Sequence, residues 1–85
     1  MRVFYTSKFA REYKKLNFKI QDLTDEKVEV FRENPFSPRL KTHKLHGSLA
    51  NYYAFSIDAR IRVIFRYGLK GEAHLDCVGD HGIYD

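Results

Sequence analysis

The 85-residue chain has no tryptophan, a single cysteine, two prolines and five glycines. Cys77 has no second cysteine to pair with, so no intrachain disulfide holds the fold and no oxidising compartment is required. No apolar run is long enough to span a bilayer. The opening MRVFYTSKFAREY has no apolar stretch followed by a small-residue cleavage site, so no secretory signal is read there and a cytoplasmic setting is expected. Repeats, linkers and low-complexity tracts are also missing. Seven Phe and six Tyr are far more than a disordered chain carries. One small domain over residues 1–85 is expected, hiding only roughly 60–65% of its unfolded surface.

Charge is unevenly placed. Asp22, Asp25, Glu26, Glu29 and Glu33 outnumber Lys27 and Arg32 in one stretch. Between Arg39 and Arg66 the balance reverses, with Arg39, Lys41, Lys44, Arg60, Arg62 and Arg66 against Asp58 alone. The net charge is +4, and the second region, which also holds His43 and His46, is suited to a polyanion. Charge of this kind also occurs on faces that bind nothing.

Arg2–Tyr5 reads as a short strand. Thr6 or Ser7 can cap a first helix carrying Phe9, Tyr13 and Leu16 at helical spacing. A second helix is expected from about Phe18 to Arg32, ended by Asn34-Pro35. Pro35 to Ala50 shows no period, but its Phe36, Leu40, Leu45 and Leu49 predict a packed connection rather than a loose one. Tyr52–Ile57 and Arg60–Tyr67 read as strands joined by a tight turn at Asp58-Ala59, and Ala73–Val78 as the last strand. The expected class is α+β, in the order β-α-α-β-β-β: a two-helix hairpin on a small, mostly antiparallel, four-stranded sheet. Alternation sends Ile61, Val63, Phe65 and Tyr67 into the core and Arg60, Arg62 and Arg66 to the open face. There the arginines either meet phosphate or pair with Asp76 or Glu72.

Three kinds of chemistry are conceivable. His43-x-x-His46 and His74-x-x-Cys77 have a metal-like look, but strand residues three apart face opposite ways, and the spacing matches no zinc motif. Cys77 sits in an apolar strand, where a thiol packs and does not react. Acid–base cleavage of RNA needs two proton-transfer groups and cations around the phosphorus. His43, His46, His81, Tyr84 and the arginines supply those groups.

The segments ENPFSPRLKTHKLHG, YYAFSIDARIRVIFRY and VGDHGIY, taken with the FAREYKKL helix, resemble the RelE/ParE toxin superfamily. They are most like the RelE/YafQ-type mRNA interferases of bacterial toxin–antitoxin modules. The resemblance covers nearly the whole chain. It implies a toxin that enters the ribosomal A site and cleaves mRNA by attack of the 2′-oxygen on the adjacent phosphate. No metal or other cofactor is implied, and the partner is a cognate antitoxin that neutralises the toxin in a hetero-oligomer. His81 matches the C-terminal histidine of such proteins, His43 their loop histidine, and Tyr84 their terminal aromatic position. Arg62 and Arg66 fall on the strand that contacts phosphate, with Arg60 at its start. Lys41 and Lys44 lie in the lysine-bearing segment, and His46 beside them has no counterpart. The chain departs from YafQ-like members at Ser56, where they carry histidine, at Arg60, where they carry aspartate, and at Asp80 and Gly82. The proton-transfer pair is therefore His43 with His81 or His81 with Tyr84. Two other readings fit the same resemblance: a ParE-like toxin acting on DNA gyrase without RNA cleavage, and an inactive relative that binds antitoxin.

Overall fold

The computed structural model of the chain describes residues 1–80. The elements are β1 (Val3–Tyr5), α1 (Ser7–Lys14), α2 (Phe18–Glu33), β2 (His43–Lys44), β3 (Tyr53–Ser56), β4 (Arg62–Tyr67) and β5 (Ala73–Gly79), with a 3₁₀ turn at Gly47–Leu49. Both helices start on side-chain caps. The Thr6 hydroxyl accepts the Phe9 N–H at 3.0 Å, and the Asn17 side chain accepts the Ile20 N–H at 2.9 Å. Asn34 is extended, as a residue before proline must be, and α2 stops there.

The sheet has five strands in the order β1-β5-β4-β3-β2, not the four expected from the pattern. β1 runs parallel to β5 and every other pair is antiparallel. The added strand is β2, which lies within the stretch read as a connection. Two residues cannot display an alternation, so nothing local marks them as strand. Their pairing is imposed by neighbours: the Leu45 N–H donates to the Tyr52 carbonyl at 2.9 Å, and the Leu40 carbonyl accepts the Ser56 N–H at 2.7 Å. Of the four apolar residues of this connection, Leu40 and Leu45 are buried, Leu49 is half-buried and Phe36 is exposed.

Two further differences matter for the open face. The turn between β3 and β4 spans five residues, with the Ile57 N–H donating to the Ile61 carbonyl at 2.9 Å. Asp58 organises it, its carboxylate accepting from Arg60 N–H at 2.8 Å and Ile61 N–H at 2.7 Å. Those backbone donors, Ile61 first, hold the Asp58 carboxyl below the ordinary carboxylate range. Arg60 consequently sits at the exposed turn, not on the strand. In β5, Leu75 lies opposite Phe65 and Cys77 opposite Ile64, leaving Asp76 as a bulge. The bulge is tied down from α1: the Thr6 hydroxyl donates to the Asp76 carbonyl at 2.8 Å, and Glu12 accepts the Val78 N–H at 3.0 Å. The extra residue reverses the parity of the strand, so His74 and Cys77 share a face, contrary to the simple alternation expected for residues three apart.

The main core lies between helices and sheet around Phe31, Phe55, Phe65, Leu40 and Leu75. A second, smaller apolar cluster occupies the other face: Leu45, Ala54, Ile64 and Cys77, with Leu49 and Tyr52 against it. Burial pushes the Cys77 thiol up to about 11, and the residue is 3% exposed. A thiol so placed carries almost no thiolate at neutral pH. Native protein should therefore resist iodoacetamide at pH 7.5 while urea-unfolded protein is alkylated readily; equal rates in the two states would contradict this burial.

Candidate functional site

The strand registers assemble the face opposite the helices row by row. One row runs His43, Ala54, Ile64, Cys77; a second places Ser56 beside Arg62 and Gly79; a third places Arg66 beside His74 and Phe4. His43, Arg62 and Arg66 therefore share this face. His43 and Arg62 sit two strands and one row apart, a backbone separation of about 12 Å.

His43 is exposed, and its Nδ1 lies 3.1 Å from the Lys41 carbonyl. A carbonyl only accepts, so Nδ1 carries the proton and Nε2 of the neutral ring presents a lone pair outward. Lys41 is the one non-glycine residue with positive φ (53°) among those described, a conformation that costs a lysine about 1–2 kcal/mol. That conformation accompanies the Lys41 carbonyl–His43 contact. Arg62 is half-buried and is held by the turn, its Nη1 donating to the carbonyl of Asp58 at 2.8 Å and of Ile61 at 3.3 Å. It pairs with neither Asp76 nor Glu72. Glu72 instead lies 3.2 Å from His74 Nε2.

Three expected site residues fall elsewhere. Lys44 alternates away from His43. It pairs with Tyr53 on the helix side and borders a shallow hollow with Ala50, Asn51 and Tyr67. Arg60 is carried out on the turn, and exposed His46 precedes the 3₁₀ turn without capping it. His81 and Tyr84 lie outside the described residues. No group of three or more His, Cys, Asp or Glu that could hold a metal occurs among the described residues. None of their helices is long and apolar enough to cross a membrane. Phe4, Tyr52 and His74 on this face escape a reading of the sequence. Phe4 is carried there by a three-residue edge strand, too short to show an alternation.

A second surface is unrelated to these groups. An apolar groove of about 370 Å³ lies between the helices at the β1 edge, lined by Tyr5, Phe9, Ala10, Tyr13, Thr24 and Val28. The Tyr13 hydroxyl donates to Asp25 at 2.8 Å. That bond raises the phenol to about 12 and fixes one wall of the groove.

Solved structures share this architecture over almost their full length. The YoeB/ParE toxin from Agrobacterium tumefaciens superposes with a TM-score of 0.79 at 19% identity, over 95% of this chain and 99% of its own. The chain has the RelE/ParE toxin fold. YafQ from Escherichia coli BL21(DE3) gives a TM-score of 0.80 at 15% identity, over 99% of this chain and 98% of its own. The toxin–antitoxin complex RelBE2 from Mycobacterium tuberculosis gives 0.79 at 18%, covering 94% and 96%. No protein-family model and no curated protein matches the chain. Within the RelE/ParE fold, sequence divergence this deep leaves the chemistry to be argued from the side chains themselves.

Proposed function

We propose that the protein is the toxin of a type II toxin–antitoxin module and a ribosome-dependent mRNA endoribonuclease. The observation that carries this reading is the single face shared by His43, Arg62 and Arg66, with His43 two strands from β4 and one row from each arginine. In the reaction a base takes the proton of the 2′-hydroxyl, and the 2′-oxygen attacks phosphorus. The bond to the 5′-oxygen breaks as an acid protonates that oxygen, leaving a cyclic phosphate and a 5′-hydroxyl. Arg62 is placed to stabilise the charge that builds up on the phosphoryl oxygens. His81 is the principal acid or base, on the strength of its match to the C-terminal histidine of RelE/YafQ-type enzymes. Its counterpart is His43 or Tyr84. Purified protein added to a translating extract should produce new 5′ ends in the message, read by primer extension. Intact messages together with gyrase-trapped DNA breaks would favour the ParE-like reading.

The groove between the helices is the proposed docking site of the antitoxin. A fixed apolar trough beside an unpaired edge strand suits a segment that buries side chains and adds backbone hydrogen bonds. Ala10→Glu should weaken the toxin–antitoxin complex at least ten-fold. Folding should be spared, because residue 10 is exposed on α1 and the new carboxylate lies one turn from Lys14. Titration calorimetry with the antitoxin checks this, and unchanged affinity would move the interface elsewhere.

A further inference from the structure

At the β1 side of the same face stands an arrangement that the proton-transfer chemistry leaves unused. Phe4 is 39% exposed and belongs to neither apolar cluster. Its ring stacks on His74 with centroids 5.4 Å apart and an interplanar angle of 21°. The Arg2 guanidinium lies over the Phe4 ring, 5.0 Å from its centre. Across β5, exposed Arg66 lies opposite His74, so the ring pair has an arginine on each side. Glu72 is the carboxylate bonded within this group, 3.2 Å from His74 Nε2 and accepting the Lys70 N–H at 3.0 Å. An exposed ring with a second ring stacked on it, a guanidinium over it and a further arginine beside the pair offers the two surfaces on which bases of single-stranded nucleic acid stack, aromatic rings and guanidinium planes. Core packing does not require it. Arg66 is four residues along β4 from Arg62, about 13 Å, so one RNA strand lying on the sheet reaches both.

We propose that Phe4, with Arg2 and Arg66, forms a base-stacking subsite for the message on a flank of the scissile bond. The subsite rests on the ribonuclease reading and deepens it. Stacking is tolerant of base identity, so the platform contributes affinity for length and not for sequence.

The test uses uncleavable 2′-O-methyl RNA of four and nine nucleotides, with binding to the purified full chain followed by fluorescence anisotropy at low salt. The nine-mer should bind roughly ten-fold more tightly than the four-mer, a gain set by one stacked base and its flanking contacts. Phe4→Ala should erase that gain, and Phe4→Tyr should keep it. Arg2→Ala should lower the slope of log affinity against log salt by about one. Circular dichroism should show Phe4→Ala folded, since the ring lies outside both clusters; if it unfolds, Phe4→Tyr and Arg2→Ala decide. Absence of a length gain in the wild type, or a gain that survives Phe4→Ala, overturns the proposal. Unchanged RNA binding with a weakened antitoxin complex would assign the face to the protein partner and also overturn it. Primer extension in the translating extract separates the two readings. Cutting by the wild type with no length gain removes only the platform. A Phe4-dependent gain without cutting removes only the ribonuclease.

Discussion

Phe31→Ala should lower the unfolding free energy by about 3–5 kcal/mol, the range for an aromatic removed from a packed core. A domain of this length has about 4–13 kcal/mol in total, so the loss is between roughly a quarter and all of what holds it folded. The size of the effect follows from position. Phe31 is fully buried near the end of α2, stacked on Phe55 with centroids 4.7 Å apart and edge-on to Phe65 at the same distance. Phe55 and Phe65 stand on adjacent antiparallel strands, so one side chain clamps α2 onto both β3 and β4. Truncation opens a cavity between two rings that are themselves held by Tyr53 and Val63, and stiff neighbours cannot collapse into it. Urea unfolding checks this directly: the midpoint should fall with the slope unchanged. Phe31→Leu, which keeps most of the volume, should cost distinctly less. A loss below about 1 kcal/mol for alanine would mean that the three rings are not the centre of the core.

The elements that were legible in the sequence are those whose cause is local. Thr6 or Ser7 announces the start of the first helix, Asn34-Pro35 the stop of the second, and the Val63-Phe65 alternation fixes which side of β4 meets the helices. What stayed hidden is set by contacts distant in the chain. β2 is two residues held by β3, and its register sends Lys44 to the helix side while His43 faces the other way. The bulge at Asp76 is fixed from 70 residues away by the Thr6 hydroxyl. Without it, His74 and Cys77 cannot be placed on one face. The turn at Asp58 is likewise longer than its Asp-Ala pair implies, because the Asp58 carboxylate accepts from the Arg60 and Ile61 N–H groups and carries Arg60 off the strand. Arg62 and Arg66 are found on one face by alternation alone, which misplaces Arg60; His43 and Lys44 are placed only by the pairing of β2 with β3.

His81→Ala should lower message cleavage by a factor of roughly 10²–10⁴, the contribution of a positioned general acid or base, while leaving the melting temperature unchanged. Arg62→Ala should cost roughly 10²–10³, the effect of losing one charged donor from a developing oxyanion. The partner of His81 is decided by combining variants. If His43 and His81 act as the two proton-transfer groups, His43→Ala alone should lose about as much as His81→Ala, and the double variant should be little worse than either, because groups acting as a unit are not additive. If Tyr84 is the partner, Tyr84→Phe should take that place, and His43→Ala should stay within a few-fold of wild type. The geometry of His43 bears on the choice. With Nδ1 committed to the Lys41 carbonyl, its neutral ring offers a lone pair and no proton at Nε2, which suits the base that takes the 2′-hydroxyl proton. His81 would then be the acid at the 5′-oxygen. A message chemically primed with a leaving group that needs no protonation should rescue His81→Ala but not His43→Ala. Rescue of both, or of neither, would break that division of roles, and wild-type cutting by His81→Ala would remove the tail histidine from the reaction altogether.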